Sequence, residues 1–320
     1  MVRWALPLRL GAAVLIIAVL ALVLDLDALF GTATAIEWKT LALASLLMFA
    51  GLPMAAARWH LILIAVGGAL AWVEVLRLTC LSMLVALGLP SGQGGDLVRG
   101  AMLAARGRAS LAQIVSSTLA DRLYGLLSIG LVAVPGVILL GLYGGAGPAM
   151  TTVALGLAAL PLLVLVLGPA ERGLARLAGP GRWGRLAAGT ADSLAQLRQT
   201  FRRPRLAVIA VLSSLMIHGL AILAAWLMGR QIGLDAPLWQ YLIVVPLVWI
   251  ITMVPASVGG LGVREASFGA LFGAFGAVPE TGVALGALVS ASSILGILLG
   301  GLLAAFLPRP KQATDPEPKP

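Results

Sequence analysis

The sequence predicts an all-α integral membrane protein of about six full spans plus two oppositely oriented re-entrant helical hairpins that form an inverted repeat. Three observations predict it. Of 320 residues, 60% are hydrophobic and only 11% charged, with a mean hydropathy of +1.02, whereas a soluble domain carries about 25% charged residues. Apolar runs of about 20 residues recur along the chain, long enough to cross a hydrocarbon core of roughly 30 Å. One polar, glycine-rich phrase occurs twice, as LPSGQGGDLVRGAML at 89–103 and VPASVGGLGVREASF at 254–268, both with the spacing P-x-x-x-G-G-x-x-x-R-x-A.

Taken in order, the chain opens with Arg3, Arg9 and an apolar run. This reads either as an uncleaved first span at about 10–24 or as a leader cleaved near Ala33-Thr34-Ala35. The weakly acidic loop that follows (Asp25, Asp27 and Glu37 against Lys39) is expected outside, and a second span at about 40–57 returns to Arg58, Trp59 and His60. Runs at about 124–143 and 149–168, joined by Gly144-Gly145-Ala146-Gly147-Pro148, form a hairpin that ends at segment 171–205. That segment carries eight arginines against Glu171 and Asp192, so the positive-inside rule makes it cytoplasmic. Within it Leu186, Leu194, Leu197 and Phe201 fall near helical spacing, opposite Arg182, Arg185 and Arg198. Such a helix lies on the anionic inner leaflet or connects spans with one face in water. Further spans are expected at about 206–228 and 283–307, ending at Arg309 and Lys311.

Parity then constrains the repeated phrase. Segment 73–108 lies between two cytoplasmic points, so it enters and leaves on that side, as Arg106 and Arg108 suggest. Segment 237–275 lies between two outside points and enters from there. The organisation is a polytopic transmembrane domain at 1–308, with halves at about 1–168 and 206–308 around the basic cytoplasmic loop 171–205, and a disordered cytoplasmic tail at 309–320.

Non-helical backbone at membrane depth survives only where protein or a polar cavity satisfies its N–H and C=O groups. Pro90 and Pro255 stop one helix, the paired glycines Gly94-Gly95 and Gly259-Gly260 permit unusual dihedrals, and the residues after them start another helix. A helix start offers free N–H groups and partial positive charge, and Arg99 or Arg264 stands in its first turns. Amides and a guanidinium fork together suit a phosphate, and paired broken helices from two inverted halves are a transporter's way of building a midplane site.

Bland alternatives stand beside these readings. Arg99 could pair with Asp96 or with Asp121, and Arg264 with Glu265. Asp121-Arg122 could be an interfacial charge pair, and Arg58-Trp59 reads first as a snorkelling interfacial anchor. The GxxxG spacings Gly269/Gly273, Gly282/Gly286 and Gly296/Gly300 read as internal helix packing. The net charge of +9 sits in arginines between apolar segments, which argues against nucleic acid. The single cysteine, Cys80, excludes an intramolecular disulfide and a multi-cysteine metal site, and is expected as a packing residue. His60 and His218 stand alone, and no HExxH, G-x-S-x-G or P-loop is present. No cofactor, metal or catalytic residue is expected, and no role is assigned to His218.

From Arg58-Trp59 through LPSGQGGDLVRG and ADRLYGLL to VPASVGGLGVREASF, the chain resembles the flippase-like family related to the transmembrane region of lysylphosphatidylglycerol synthase. The resemblance implies a bacterial inner-membrane protein that moves lipids between leaflets. The matching polar positions are Arg58, Gly95, Asp96, Arg99, Asp121, Arg122, Gly259, Gly260, Gly262, Arg264 and Glu265, with Gly94 added by the repeat itself. The family often has an arginine in the span after the second motif, where this chain reads ALVSASSIL, with Ser290, Ser292 and Ser293. No aminoacyl-transfer domain follows the spans within these residues, so lipid lysylation by this chain alone is not expected.

Three functions are weighed. The leading one is a translocator whose partner is a membrane lipid with an anionic headgroup: Arg99 and Arg264 bind phosphate, while Asp96 and Glu265 orient them or meet a cationic group. The alternatives are a non-catalytic anchor for an envelope-biosynthesis enzyme, acting through 171–205, and a membrane-embedded lipid transferase. Both termini are expected in the cytoplasm, and lipid identity, energy coupling and oligomeric state are left open.

Overall fold

A computed structural model describes residues 35–68, 70–87, 94–105, 109–143, 147–159, 167–179, 181–254 and 259–308, with residues 31, 89, 162 and 257 besides. The helices there are α1 (Trp38–Ala65), α2 (Trp72–Ala86), α3 (Gly94–Ala104), α4 (Leu111–Tyr143), α5 (Pro148–Ala158), α6 (Leu167–Arg176), α7 (Arg182–Arg202), α8 (Pro204–Gln231), α9 (Leu238–Met253), α10 (Val263–Gly273) and α11 (Pro279–Phe306). The all-helical architecture agrees with the expected class. The expected first span at 10–24, the tail at 309–320, Pro90 and Pro255 lie outside the described residues.

Four helices, α1, α4, α8 and α11, are long and apolar enough to cross a membrane. At 28 to 33 residues each exceeds the roughly 20 needed to cross 30 Å. Their outward faces are greasy: Leu46, Ile138, Leu212 and Leu302 are each more than half exposed. In water such faces would associate; around an integral membrane protein they meet lipid. These helices correspond to the spans expected at 40–57, 124–143, 206–228 and 283–307.

The run at 149–168 departs from expectation. Helix α5 ends at Ala158 and a separate helix, α6, starts at Leu167.

The order long, short, short, long occurs twice, as α1–α4 and as α8–α11. Arg58, near the end of α1, bonds Ser214 in the first half of α8, and a Cβ on Gly51, in mid-α1, would meet Ile217 further along α8. Helices α1 and α8 therefore run antiparallel. In each repeat the phrase shared by the two halves starts between the short helices and runs into the second of them. The backbone N–H of Gly259 donates to the carbonyl of Leu89 at 3.1 Å, so the two glycine-rich turns touch.

Glycines set the tightest seams. A Cβ on Gly282 would fall 2.8 Å from Cα of Gly269, and one on Gly286 would fall 2.7 Å from Cα of Glu265, so α10 and α11 pack backbone to backbone. Gly296 meets α1 in the same way, 3.0 Å from the amide nitrogen of Phe49. The GxxxG spacings thus serve internal packing. Cys80 is a buried free thiol packed with Trp59, Leu63 and Leu78.

Helix α7 decides between the two readings of its amphipathic pattern, in favour of a helix that connects spans. Its apolar side does not lie on a leaflet: Leu197 is buried with Ile62, Ala120, Tyr124 and Ala210, and Leu194 and Phe201 pack against the same cluster. The Phe201 ring stacks on Tyr124 at 4.4 Å, and Ser116 Oγ donates to Gln196 Oε1 at 3.0 Å. Three long helices offer a drier, better-fitting surface than headgroups. The side chains of Arg185 and Leu186 lie outside the described residues.

Candidate functional site: two arginine networks at the meeting of the glycine-rich turns

The first network forms around the start of α3. Gly94 and Gly95 open that helix in a confined space: a Cβ on Gly95 would meet the Met83 side chain at 2.7 Å. The first turns then carry Asp96 and Arg99 inward. Arg99 Nη2 donates to Asp121 Oδ2 at 2.9 Å and lies 3.1 Å from Asp96 Oδ1. Arg58 Nε donates to the other Asp121 oxygen at 2.7 Å, and its Nη1 donates to Ser214 Oγ at 2.6 Å. Arg122 Nε lies 2.6 Å from Asp96 Oδ2. Each aspartate therefore bridges two arginines, and the network ties α1, α3, α4 and α8.

The Trp59 ring lies under the Arg99 guanidinium, 4.1 Å from its carbon to the ring centroid. A cation over an indole face in a desolvated place contributes about 2 kcal/mol. Arg58 and Trp59 are 8% and 1% exposed, so this pair is not the snorkelling anchor that the sequence suggested. The guanidinium turns inward because Asp121 and Ser214 supply partners there. Asp121-Arg122 is likewise internal on its aspartate side, with Asp121 4% exposed.

The second network surrounds the start of α10. Gly259, Gly260 and Gly262 have φ values of +61°, +79° and +79°, where a side chain is disfavoured. Arg264 Nη1 donates to Ser290 Oγ at 3.0 Å, and its Nη2 to the Gly259 carbonyl at 3.3 Å. Ser290 Oγ in turn donates to Glu265 Oε1 at 2.5 Å. The Gly262 N–H donates to Glu265 Oε2 at 2.6 Å, the glutamate half of a capping box, since glycine has no side chain to make the other half. That amide is therefore not free for an anion, contrary to the expectation of an open helix start: Glu265 stands one turn in, within reach. The serine read as a missing charge, Ser290, links the arginine to the glutamate.

A cavity of about 330 Å³ is lined by Arg58, Asp96, Arg99, Asp121, Arg122 and His218, with apolar walls. A neighbouring cavity of about 290 Å³ is lined by Gly259, Leu261 and Arg264. Met83, Ser293 and Ile297 wall both. Arg99 lines the first cavity while its buried Nε has no hydrogen-bond partner. Among the described residues this first cavity holds three guanidiniums against two carboxylates, a low-dielectric setting in which an anion is favoured. No cluster of three metal-ligating side chains occurs among the described residues.

The structure thus brings Arg58, Asp96, Arg99, Asp121 and Arg122 together, and separately Gly259, Gly260, Gly262, Arg264 and Glu265. Sequence reasoning missed Ser214 as the second partner of Arg58 and missed the position of His218. His218 Nε2 is 3.3 Å from the Gly125 carbonyl, and its ring lies 4.7 Å from Trp249. The signal for Ser214 was its place in an apolar span; nothing in the sequence paired it with a residue 156 positions away.

The family model described as the lysylphosphatidylglycerol synthase TM region matches residues 9–301. No curated protein and no solved structure gave a match.

Proposed function

The chain belongs to the lysylphosphatidylglycerol synthase transmembrane-region family, and from that premise we propose that it translocates an anionic phospholipid or lipid-linked precursor across the bacterial inner membrane. The observation that carries this reading is the meeting of the two glycine-rich turns, Gly259 N–H on Leu89 C=O, beside cavities lined by Arg99 and Arg264. In this reading α2 with α3, and α9 with α10, are re-entrant hairpins. Helices α2 and α9 have 15 and 16 residues, about 22–24 Å of rise, short of a 30 Å core. One hairpin is joined to the end of α1 and the other to the end of α8, and α1 and α8 run antiparallel, which supports opposite orientations. With the arginine-rich segment inside, both termini are cytoplasmic.

The headgroup phosphate sits in the charged cavity, held by the positive charge of Arg58, Arg99 and Arg122; Arg264 receives it in the neighbouring cavity. Asp96, Asp121 and Glu265 hold these guanidiniums in place. The hydrocarbon tail stays outside the charged cavity. The protein then acts without covalent chemistry and is not an enzyme.

Reconstitution in vesicles with fluorescent phosphatidylglycerol tests it. Leaflet exchange should be fast with the native chain and fall to the protein-free rate with Arg99→Ala plus Arg264→Ala; an unchanged rate in that variant would defeat the assigned roles.

A second reading, an anchor for an envelope-biosynthesis enzyme, is favoured by one observation. Trp183 and Leu177 are strongly exposed in the basic segment. Deleting 177–183 should release a bound enzyme if that reading holds and leave leaflet exchange intact.

A further inference from the structure

Helices α3 and α4 are separated along their outer side by an apolar groove of about 370 Å³. Small residues on α3 make it: Gly100, Ala101 and Ala104 face Ile114, Val115 and Leu119 of α4 across the gap. At one point the helices come close, since a Cβ on Gly100 would lie 3.1 Å from the Ile114 side chain. The groove is open to the surroundings, with Leu97 and Leu111 at its margins 74% and 75% exposed. Apart from Asp96 and Thr118 its lining is apolar or glycine. One wall residue gives it meaning: Asp96 lines both this groove and the charged cavity. On α4, Arg122 stands one turn beyond Thr118 and Leu119, and its Nε pairs with that same Asp96. The groove at the hydrocarbon-facing surface and the arginine-lined cavity therefore share Asp96 as a common wall.

We infer that the α3–α4 groove is the binding site for one hydrocarbon chain of the transported lipid, acyl or isoprenoid, and that the headgroup reaches the arginine network sideways through this seam. The inference rests on the lipid-translocation reading and adds the place of the tail. Charge complementarity fixes the occupant. The one charged residue of the groove, Asp96, also lines the arginine-bearing cavity and is neutralised there by Arg122, so the place suits a molecule with hydrocarbon along the groove and an anionic end beside it, not a helix of another protein, whose polar ends would have no partner along the groove. A chain in the groove points toward the end of the bundle that α7 covers, because α3 and α4 are joined there. The headgroup then faces the opposite end, the orientation of a lipid from the leaflet away from α7.

The test uses the full chain in vesicles with phosphatidylglycerol carrying a diazirine near the end of one acyl chain, and mass spectrometry of the photolabelled peptides. Label is expected on residues 97–104 and 111–119. Ala104→Trp, which fills the groove, should reduce it to the level found on the lipid-facing sides of the other helices. Thermal stabilisation separates tail from headgroup. In detergent, glycerol phosphate should stabilise the native chain and Ala104→Trp equally, while long-chain phosphatidylglycerol should add stabilisation only in the native chain. Equal added stabilisation of both overturns the groove and leaves the headgroup site standing. No stabilisation of the native chain by either probe overturns both. Should Ala104→Trp not fold, Ala101→Val and the label map of the native chain decide: label confined to other helices overturns the inference.

Discussion

The N–H of Gly259 and the carbonyl of Leu89 share a hydrogen bond of 3.1 Å, and with it two turns 170 residues apart in the chain close on each other. Left-handed φ angles at Gly259, Gly260 and Gly262 make that approach feasible. Gly260→Ala should lower stability by about 1–2 kcal/mol through backbone strain. Gly141→Ala is the control: it sits in α4 with no atom within 4 Å of the added carbon, so stability should hold or rise. Thermal unfolding in detergent reads both.

Asp121 is the only carboxylate that both Arg58 and Arg99 contact among the described residues. Asp121→Asn leaves two buried guanidiniums undercompensated and should cost about 3–5 kcal/mol. Adding Arg58→Met should recover part of that loss. A double-mutant cycle by thermal unfolding measures the coupling, and strict additivity would rule out the network as described.

Ser290 joins the second network. Ser290→Ala strips one partner each from Arg264 and Glu265 and should cost about 1–3 kcal/mol, with slower leaflet exchange. Ser292, whose hydroxyl bonds only the Val289 carbonyl of its own helix, should tolerate alanine with a smaller loss. Comparing the two variants in the same vesicle assay separates a site effect from a general loss of serine.

Helix α7 sits one turn below the first network: Ile62 follows Arg58 on α1, Ala120 adjoins Asp121 on α4, and Ala210 precedes Ser214 on α8. If lipid movement needs that end to open, a reducible cross-linker between Ser116→Cys and Gln196→Cys, whose native side chains are hydrogen-bonded, should stop leaflet exchange until it is cleaved. Undiminished exchange in the cross-linked protein means α7 is static cover. Cys80, buried like Ser116, is replaced by alanine in this background so that only the engineered pair reacts.

Much of this was legible in the chain itself. Hydropathy gave the four long helices because a lipid-facing helix must be apolar nearly throughout, and the repeated phrase marked both networks because its spacing puts glycines before a helix and an arginine in its first turns. Partner choice was not legible. Arg58 looked like an interfacial anchor because its helix ends nearby, and only the fold brings Asp121 and Ser214 to it. The same holds for α7: an amphipathic pattern states that a face will be covered, not by what, and packing on α4 replaced the leaflet. The run at 149–168 reads as one span on hydropathy alone, whereas the helix that begins it ends at Ala158.

The glycine seams have a mechanical corollary. Where Gly282 and Gly286 let α10 ride directly on α11, and Gly296 sets α11 against α1, little side-chain layer remains to shear, so these three helices are expected to shift as one body, an anvil carrying Arg264, Glu265 and Ser290, if the protein moves lipid. Displacement must be taken up elsewhere, across the polar joints that hold α3 and α4 to α1 and α8.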